Sequence, residues 1–116
     1  MSVRTNQYIL VGVRIPYEKG GDQYEKFEPF IDTGYDAEPK HHDGLAVVFD
    51  GMSGGYILIG YINYRSGLDE NLDGPIRIQA VDDTVKEMLA GLINVNFPWL
   101  NITADQVDPW FVTHYH

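Results

Sequence analysis

The sequence predicts an α+β fold: a mainly antiparallel sheet of four or five strands, with one long helix at about residues 83–95 packed on one face and a short helix near residues 23–31. Two observations lead to this prediction. Runs of β-branched and aromatic residues at 45–49 and 56–64 flank a glycine-rich loop at 51–55, which is the pattern of a β-hairpin. Only one long amphipathic helix accompanies the strands, and an antiparallel or mixed sheet covered by that helix is the economical arrangement.

The hairpin is predicted to lie in the middle of the sheet. Apolar side chains occupy both alternating sets of positions in 45–49 and in 56–64, which is typical of strands that are covered on both faces. Gly51, Gly54 and Gly55 supply the positive φ angles that a short connection needs.

The first third of the chain predicts one strand and one short helix. Residues 7–17 alternate in side-chain character and end near Pro16, which cannot donate a hydrogen bond to a neighbouring strand. Asp22 offers an N-cap for the short helix, and Pro29 interrupts or restarts it. The polar residues at 35–43 predict an exposed loop.

The long helix follows an acidic loop at 66–74 and a short strand at 75–80. Asp82, Asp83 and Thr84 are candidate N-caps, and Thr84 with Glu87 fits a capping box. Pro98 forbids continuation of the helix. One apolar stripe runs along it, formed by Val85, Met88, Leu89, Leu92 and Ile93.

Beyond the long helix, Thr103 and Gln106 fit the cap of one further turn, and residues 110–115 predict a last strand. One helix cannot cover both apolar faces of this sheet. The second face is covered either by the segment 24–31 or by a second subunit, so a homodimer is left open.

Composition predicts a single domain over residues 1–116, located in the cytoplasm. Apolar residues make up 44% of the chain, which is enough to form a core. The chain has no cysteine, which excludes disulfides and thiolate metal sites and favours a reducing compartment. Its apolar runs are too short for a signal peptide or for a membrane span.

The net charge of −9 argues against direct binding to nucleic acid backbones. Acidic residues concentrate between positions 22 and 38, where Lys26 is the one basic residue. This segment is either a solvated face or a patch that binds a partner with a basic surface. The candidate partner-binding residues are Asp22, Glu25, Glu28, Asp32, Tyr35, Asp36 and Glu38. Tyr and Trp residues, which are favoured at interfaces, are numerous enough to contribute to such a surface.

A second candidate is the glycine-rich loop after the first hairpin strand. Its backbone amides could form an anion nest, so it is a candidate ligand or partner loop, although the plain hairpin turn is the simpler interpretation. It lacks the Lys-Ser or Lys-Thr pair of a phosphate-binding P-loop, and a strand follows it rather than a helix. The residues are Asp50, Gly51, Met52, Ser53, Gly54, Gly55 and Tyr56.

The histidines are the only candidates for a metal site. His114 and His116 are two residues apart, so on a strand they point to the same side. A metal site would need third and fourth ligands, for which His41, His42 and Asp43 are candidates, but nothing in the spacing requires this, so no metal and no other cofactor is predicted. The sequence has no nucleophile elbow and no evident acid and base pair, so no catalytic residue is assigned.

Three segments resemble proteins of one group: EPFIDTGYD at 28–36, DGMSGGYILIG at 50–60 and WFVTHYH at 110–116. On these segments the chain resembles small acidic proteins of tailed bacteriophages, most of which are uncharacterised. The resemblance implies a protein of the host cytoplasm that binds and neutralises a host factor, such as a defence protein or the nucleotide signal of a defence system. It implies no functional residue.

Three hypotheses follow. The leading one is a non-enzymatic, phage-encoded binding protein that neutralises a host defence factor through a basic surface of that protein, without contact to nucleic acid or membrane. The alternative is a sponge for a nucleotide-like signal, at a dimer interface, which would require several of Arg14, Lys40, Arg65 and Arg77 to gather in one place. The last is a metal-dependent hydrolase that uses the histidines.

Overall fold

The structure is a computed structural model that describes residues 3–18, 22–32, 42–70, 74–78 and 80–116. Its helices and strands are β1 (Thr5–Ile15), α1 (Gln23–Phe27), β2 (Ala46–Phe49), β3 (Ile57–Arg65), α2 (Asp83–Asn96) and β4 (Asp108–Tyr115). Short 3-10 turns lie at Glu28–Phe30, His42–Gly44, Pro98–Leu100 and Ala104–Gln106.

Within these ranges, four strands form one antiparallel sheet in the order β2-β3-β1-β4. The prediction that the hairpin lies in the middle of the sheet is correct for β3 and wrong for β2, which is an edge strand. Ile31 covers part of that edge through an isolated bridge to Val47. The predicted strand at 75–80 is not found: residues 75–78 and 80, which are the described part of it, belong to no strand.

One face of the sheet carries the main apolar core. Val13, Val47 and Ile59 of three neighbouring strands are fully buried there, together with side chains from both helices. Phe97 lies at the centre of an aromatic group, with ring centroids 5.2 Å from Phe27, 4.6 Å from Phe30 and 5.7 Å from Trp99. Burial of a Phe side chain contributes about 1.5–3 kcal/mol, so this group is a main source of stability.

The prediction of one long helix packed on a face of the sheet is wrong. The cover consists of two short helices and several 3-10 turns, and α2 lies mainly against the turns at Pro98–Leu100 and Ala104–Gln106 and approaches the sheet along β3. A straight helix of 14 residues is about 21 Å long and cannot follow a strongly curved sheet. None of the helices in the described ranges has the length and apolar character to cross a membrane.

The opposite face carries a smaller apolar cluster, formed by Tyr8, Leu10, Val48 and Leu58. The segment 24–31 does not cover it, because Phe27 belongs to the main core on the other side. Instead, the sheet coils around this apolar cluster, so that distant parts of the sheet meet over it. The Tyr8 hydroxyl on β1 donates to Asp32 at 2.7 Å, although Asp32 lies outside β2 and two strands separate it from β1. In a flat sheet, with strands about 4.8 Å apart, the two backbones would lie roughly 14 Å apart, and side chains that stand perpendicular to the sheet would not meet across that distance.

The backbones of β1 and β3 approach each other closely where two glycines pair. Gly12 on β1 pairs with Gly60 on β3. A Cβ on Gly12 would lie 1.9 Å from the carbonyl oxygen of Ile59, and a Cβ on Gly60 would lie 2.1 Å from that of Val11. No other residue type fits such an approach of two backbones. We call the face that carries Tyr8 the concave face, and the face with the main core the convex face.

A β-bulge decides which side chain of β3 meets Tyr8. Leu10 pairs with Ile62 and Ile9 with Tyr64, so Asn63 is the extra residue. Beyond the bulge, Arg65 rather than Tyr64 lies opposite Tyr8. The bulge therefore brings a guanidinium group to the buried Asp32.

Candidate functional site

The acidic candidates of the 22–38 segment lie in different environments. Asp22, Glu25 and Glu28 are exposed on α1 and the turn that follows it. Asp22 forms an exposed ion pair with Lys26 at 3.6 Å, and the Lys26 ammonium lies 5.2 Å from the centre of the Trp99 ring. The remaining candidates Tyr35, Asp36 and Glu38 lie outside the described residues.

Asp32 differs from the other candidates because it is buried, with 9% of its surface exposed. Arg65 donates to both of its carboxylate oxygens at 3.0 Å, and Tyr8 donates to one of them at 2.7 Å. Burial, followed by the charge of Asp32, raises the pKa of Tyr8 above its usual range, so Tyr8 remains a donor. Asp32 therefore belongs to the interior and does not present a carboxylate to a partner.

The loop at 50–56 binds a carboxylate from its own chain. Asp50 is buried and accepts from the backbone N–H of Ser53 at 3.1 Å and of Gly55 at 2.7 Å, and also from the Ser53 hydroxyl at 2.8 Å. Burial alone would raise the pKa of Asp50, but these hydrogen bonds outweigh it and hold the pKa below its usual value. The anion nest considered from the sequence is thus occupied by Asp50, and the loop is ordered as a hairpin turn.

The two C-terminal histidines lie at a corner where the coiled sheet meets itself. Tyr56, which directly precedes β3, lies beside the Ile15 end of the sheet, and His114 pairs with Asn6 at the opposite end. Nevertheless, the Tyr56 hydroxyl lies 2.7 Å from Nδ1 of His114. We call this contact, together with the Tyr8–Asp32–Arg65 group, the corner cluster.

The corner cluster suits a structural role better than an acid–base role. His114 is 4% exposed, and its ring is surrounded by those of Tyr8, Tyr56 and His116, with centroids 5.9, 5.9 and 5.1 Å away. Burial, helped by the neighbouring His116, lowers the pKa of His114 to about 4, so the ring is neutral at pH 7. A base so enclosed has no surface on which a substrate could approach it.

His116 also has a protein partner on its ring. Its Nε2 lies 2.6 Å from Oδ1 of Asn6, and burial together with the positive charge of Arg4 lowers its pKa. Among the described residues, no group of three or more His, Asp or Glu side chains is placed to hold a metal ion. Every buried side-chain nitrogen and oxygen in the described ranges has a hydrogen-bond partner.

The basic residues that a nucleotide sponge would need are not brought together. Arg14 donates to the carbonyl of Gly55 at 2.8 Å, near one end of β1, whereas Arg65 is engaged with Asp32 and pairs with Tyr8 in the other half of β1. Arg77 is exposed outside the sheet, and Lys40 lies outside the described residues. The described part of the chain therefore shows no cationic pocket that would favour this hypothesis.

Exposed aromatic side chains mark two surfaces. Tyr24, with 51% of its surface exposed, lies on α1 with the exposed carboxylates, and Trp99, with 47%, packs against Phe27 of α1. Phe111 and Tyr115 are exposed on β4. Three of these four residues were among the aromatic candidates from the sequence, and Phe111 was missed because only Tyr and Trp were considered as interface residues.

Comparison with protein-family models, with curated proteins and with solved structures finds no match to this chain.

Proposed function

We propose that this protein is a non-enzymatic binding protein whose α1 surface binds a protein partner with a basic surface. The α1 surface consists of Asp22, Tyr24, Glu25, Glu28 and Trp99. The observation that supports it most is that two half-exposed aromatic rings and three exposed carboxylates share one short segment and the turn packed against it.

The α1 surface has the two components that protein interfaces combine. Tyr24 and Trp99 offer rigid apolar area with a polar tip, which is the composition of binding hot spots. Glu25 and Glu28 have no ion pair within the described residues and can meet basic groups of a partner. The net charge of −9 adds long-range attraction for a basic surface, which raises the association rate at low salt.

The rest of the molecule supports binding over catalysis. The buried polar groups of the corner cluster satisfy one another, and the Asp50 carboxylate occupies the loop amides. The resemblance of three short segments to small phage proteins supports the biological setting: a phage-encoded protein in the host cytoplasm that neutralises a host defence factor. In that setting, the partner is a host protein.

The test is affinity capture from a lysate of the natural host, followed by measurement of direct binding with the purified partner. The decisive variant is Glu25→Lys with Glu28→Lys, and the matched control is Asp83→Lys with Glu87→Lys on α2, which changes the net charge equally. At about 50 mM salt, where charges act over more than 10 Å, we expect the control to bind the partner and the α1 variant to bind it at least tenfold more weakly.

Two results would contradict this proposal. One is the absence of any stoichiometric partner at low salt. The other is equal binding by both double variants, because the effect of charge would then be global and would not belong to the α1 surface.

A further inference from the structure

The outer edge of β4 carries backbone groups that the sheet does not use. Arg4 and His116 exchange two backbone hydrogen bonds of 2.7 Å, which fixes the pattern of the β1–β4 ladder. In an antiparallel pair, hydrogen-bonded and non-hydrogen-bonded residue pairs alternate. The backbone N–H and C=O groups of the even-numbered residues of β4 therefore point toward β1, and those of the odd-numbered residues point away from the sheet. Within the described part of the chain, the outward N–H groups of Phe111, Thr113 and Tyr115 make no hydrogen bond.

The side chains along this edge are apolar or uncharged. Phe111 and Tyr115, with 57% and 53% of their surfaces exposed, lie on the same face of the strand, with Thr113 between them. From Pro109 to Tyr115 there is no Asp, Glu, Lys or Arg. Natural sheet edges are usually protected by charges, bulges or proline, and here Pro109 protects only the beginning of the strand.

We infer that β4 pairs antiparallel with β4 of a second copy of this chain, with Thr113 opposite its own counterpart. In this register, each copy donates three N–H groups, from residues 111, 113 and 115, to carbonyls of the other copy. Phe111 of each copy then lies directly opposite Tyr115 of its partner copy, and the two threonines meet at the two-fold axis. Aromatic and threonine pairs at directly opposite positions are favourable cross-strand pairs.

The symmetry of the edge favours a second copy over an unrelated chain. The outward pattern of aromatic, threonine and aromatic residues reads alike in both directions about Thr113, as a two-fold interface requires. A register with Val112 in place of Thr113 on the two-fold axis would place Pro109 opposite Tyr115, and the proline has no N–H to donate there. The self-paired register excludes Pro109 and leaves both aromatic rings covered.

Charge predicts the salt dependence of this dimer. Each copy carries a net charge of −9, but the paired strands carry none between positions 109 and 115. The electrostatic repulsion between the two copies therefore acts over a long range, and added salt screens it. We expect the dimer to become tighter with added salt, which is the opposite of what the proposed binding through α1 would show. The dimer uses none of the α1 residues.

The first experiment is sedimentation equilibrium of the full chain from about 1 to 200 µM, a range that reports micromolar dissociation constants. The variant is Thr113→Lys, which places two like charges directly opposite each other while lowering the overall negative charge. The control is Val95→Lys, which makes the same charge change at an exposed apolar residue of α2. We expect the Thr113→Lys dimer to be at least tenfold weaker and the control to dimerise like the unmodified protein.

A second experiment covers the case in which Thr113→Lys fails to fold. The chain has no cysteine, so Thr113→Cys creates a protein that can form only an intermolecular disulfide. Directly opposite residues of a hydrogen-bonded antiparallel pair have Cα atoms about 5.5 Å apart, within the range of a disulfide. We expect fast covalent dimerisation under mild oxidation, and slow cross-linking for the control Val95→Cys.

Two outcomes would overturn this inference. A protein that remains monomeric at the highest concentration and high salt has no such interface. A dimer that Thr113→Lys leaves intact, or in which Thr113→Cys cross-links no faster than Val95→Cys, pairs through another surface.

Discussion

The two faces of the sheet are stabilised by different interactions. The convex face is an apolar core, with Phe97 at the centre of an aromatic group and both helices contributing. The concave face has a small apolar cluster and closes through polar contacts, from Tyr8 and Arg65 to Asp32 and from Tyr56 to His114. Apolar burial scales with area and has little direction, whereas hydrogen bonds require a defined geometry. The convex face therefore supplies most of the stability, and the concave face fixes the curvature of the sheet.

The largest effect is expected where curvature depends on a missing side chain. Gly12→Ala places a Cβ 1.9 Å from the Ile59 carbonyl oxygen, and the contact is with backbone that cannot rotate away. We expect the free energy of unfolding to fall by about 4 kcal/mol or more, which is a large part of the stability of a small domain. Urea denaturation followed by circular dichroism measures it. A loss below about 1 kcal/mol would show that the two strands separate easily at this point.

The buried ion pair is the next largest contribution of the concave face. Arg65→Met leaves the Asp32 carboxylate in the interior without its guanidinium group, and we expect a loss of about 3–5 kcal/mol. Replacing Asp32 by Asn in the same protein should restore part of this loss, because the buried charge is then gone. Lys26→Met is the control: its ion pair with Asp22 is exposed and should contribute less than about 1 kcal/mol. Equal losses in the two single variants would contradict the difference between the two environments.

The corner cluster should make stability depend on pH. The pKa of His114 is about 4 in the folded protein and 6.5 when unfolded, so between these values the unfolded chain binds the proton more readily. Stability is therefore greatest above pH 6.5 and falls as the pH drops toward 4, by about 3 kcal/mol. Burial also lowers the pKa of His116, which acts in the same direction.

Denaturation at a series of pH values tests this prediction. The variant His114→Asn should lose most of the slope between pH 6.5 and 4. Phe97→Ala, on the convex face, should lower stability at every pH and keep the slope. A slope that survives in His114→Asn would assign the pH dependence to other groups.

The smallest expected effect is an increase, not a decrease, in the free energy of unfolding. Gly91 lies in the middle of α2, and a Cβ added there would meet no atom within 4 Å. Gly91→Ala should stabilise the protein by about 1 kcal/mol, since alanine favours the helix and restricts the unfolded chain. A thermal melt compared with that of Gly12→Ala would separate a glycine that the fold requires from one that it does not. A destabilising Gly91→Ala would mean that α2 is packed more closely than the structure shows.

Local patterns predicted the parts of this fold that depend on neighbours in sequence. Runs of β-branched and aromatic residues located β3 and β4, and Pro98 correctly marked the end of α2. The capping box at Thr103 and Gln106 is confirmed, and Asp82, one of three candidate caps, accepts from the N–H of Val85 at 2.9 Å. Each of these signals is complete within a few residues, so one sequence is enough to read them.

The sequence did not predict the features that join distant segments. Period-two alternation shows which side chains share a face of the sheet, but it does not show how strongly the sheet coils. The close backbone contact between Gly12 and Gly60 could therefore not be predicted. Asp32 was assigned to the acidic surface because its partner Arg65 reaches it only through a bulge at Asn63. His114 was considered as a metal ligand because its actual partner, Tyr56, lies far from it in sequence.

The central position of β1 has a consequence for the order in which the chain can fold. Synthesis produces this strand before both of its neighbours, which are made only at residues 57–65 and 108–115. Until then, eleven mostly apolar residues have both strand edges open, which is the condition under which nascent chains associate incorrectly. Pairing over such long sequence separations is slow, so β1 is the segment that a chaperone would need to shield during synthesis.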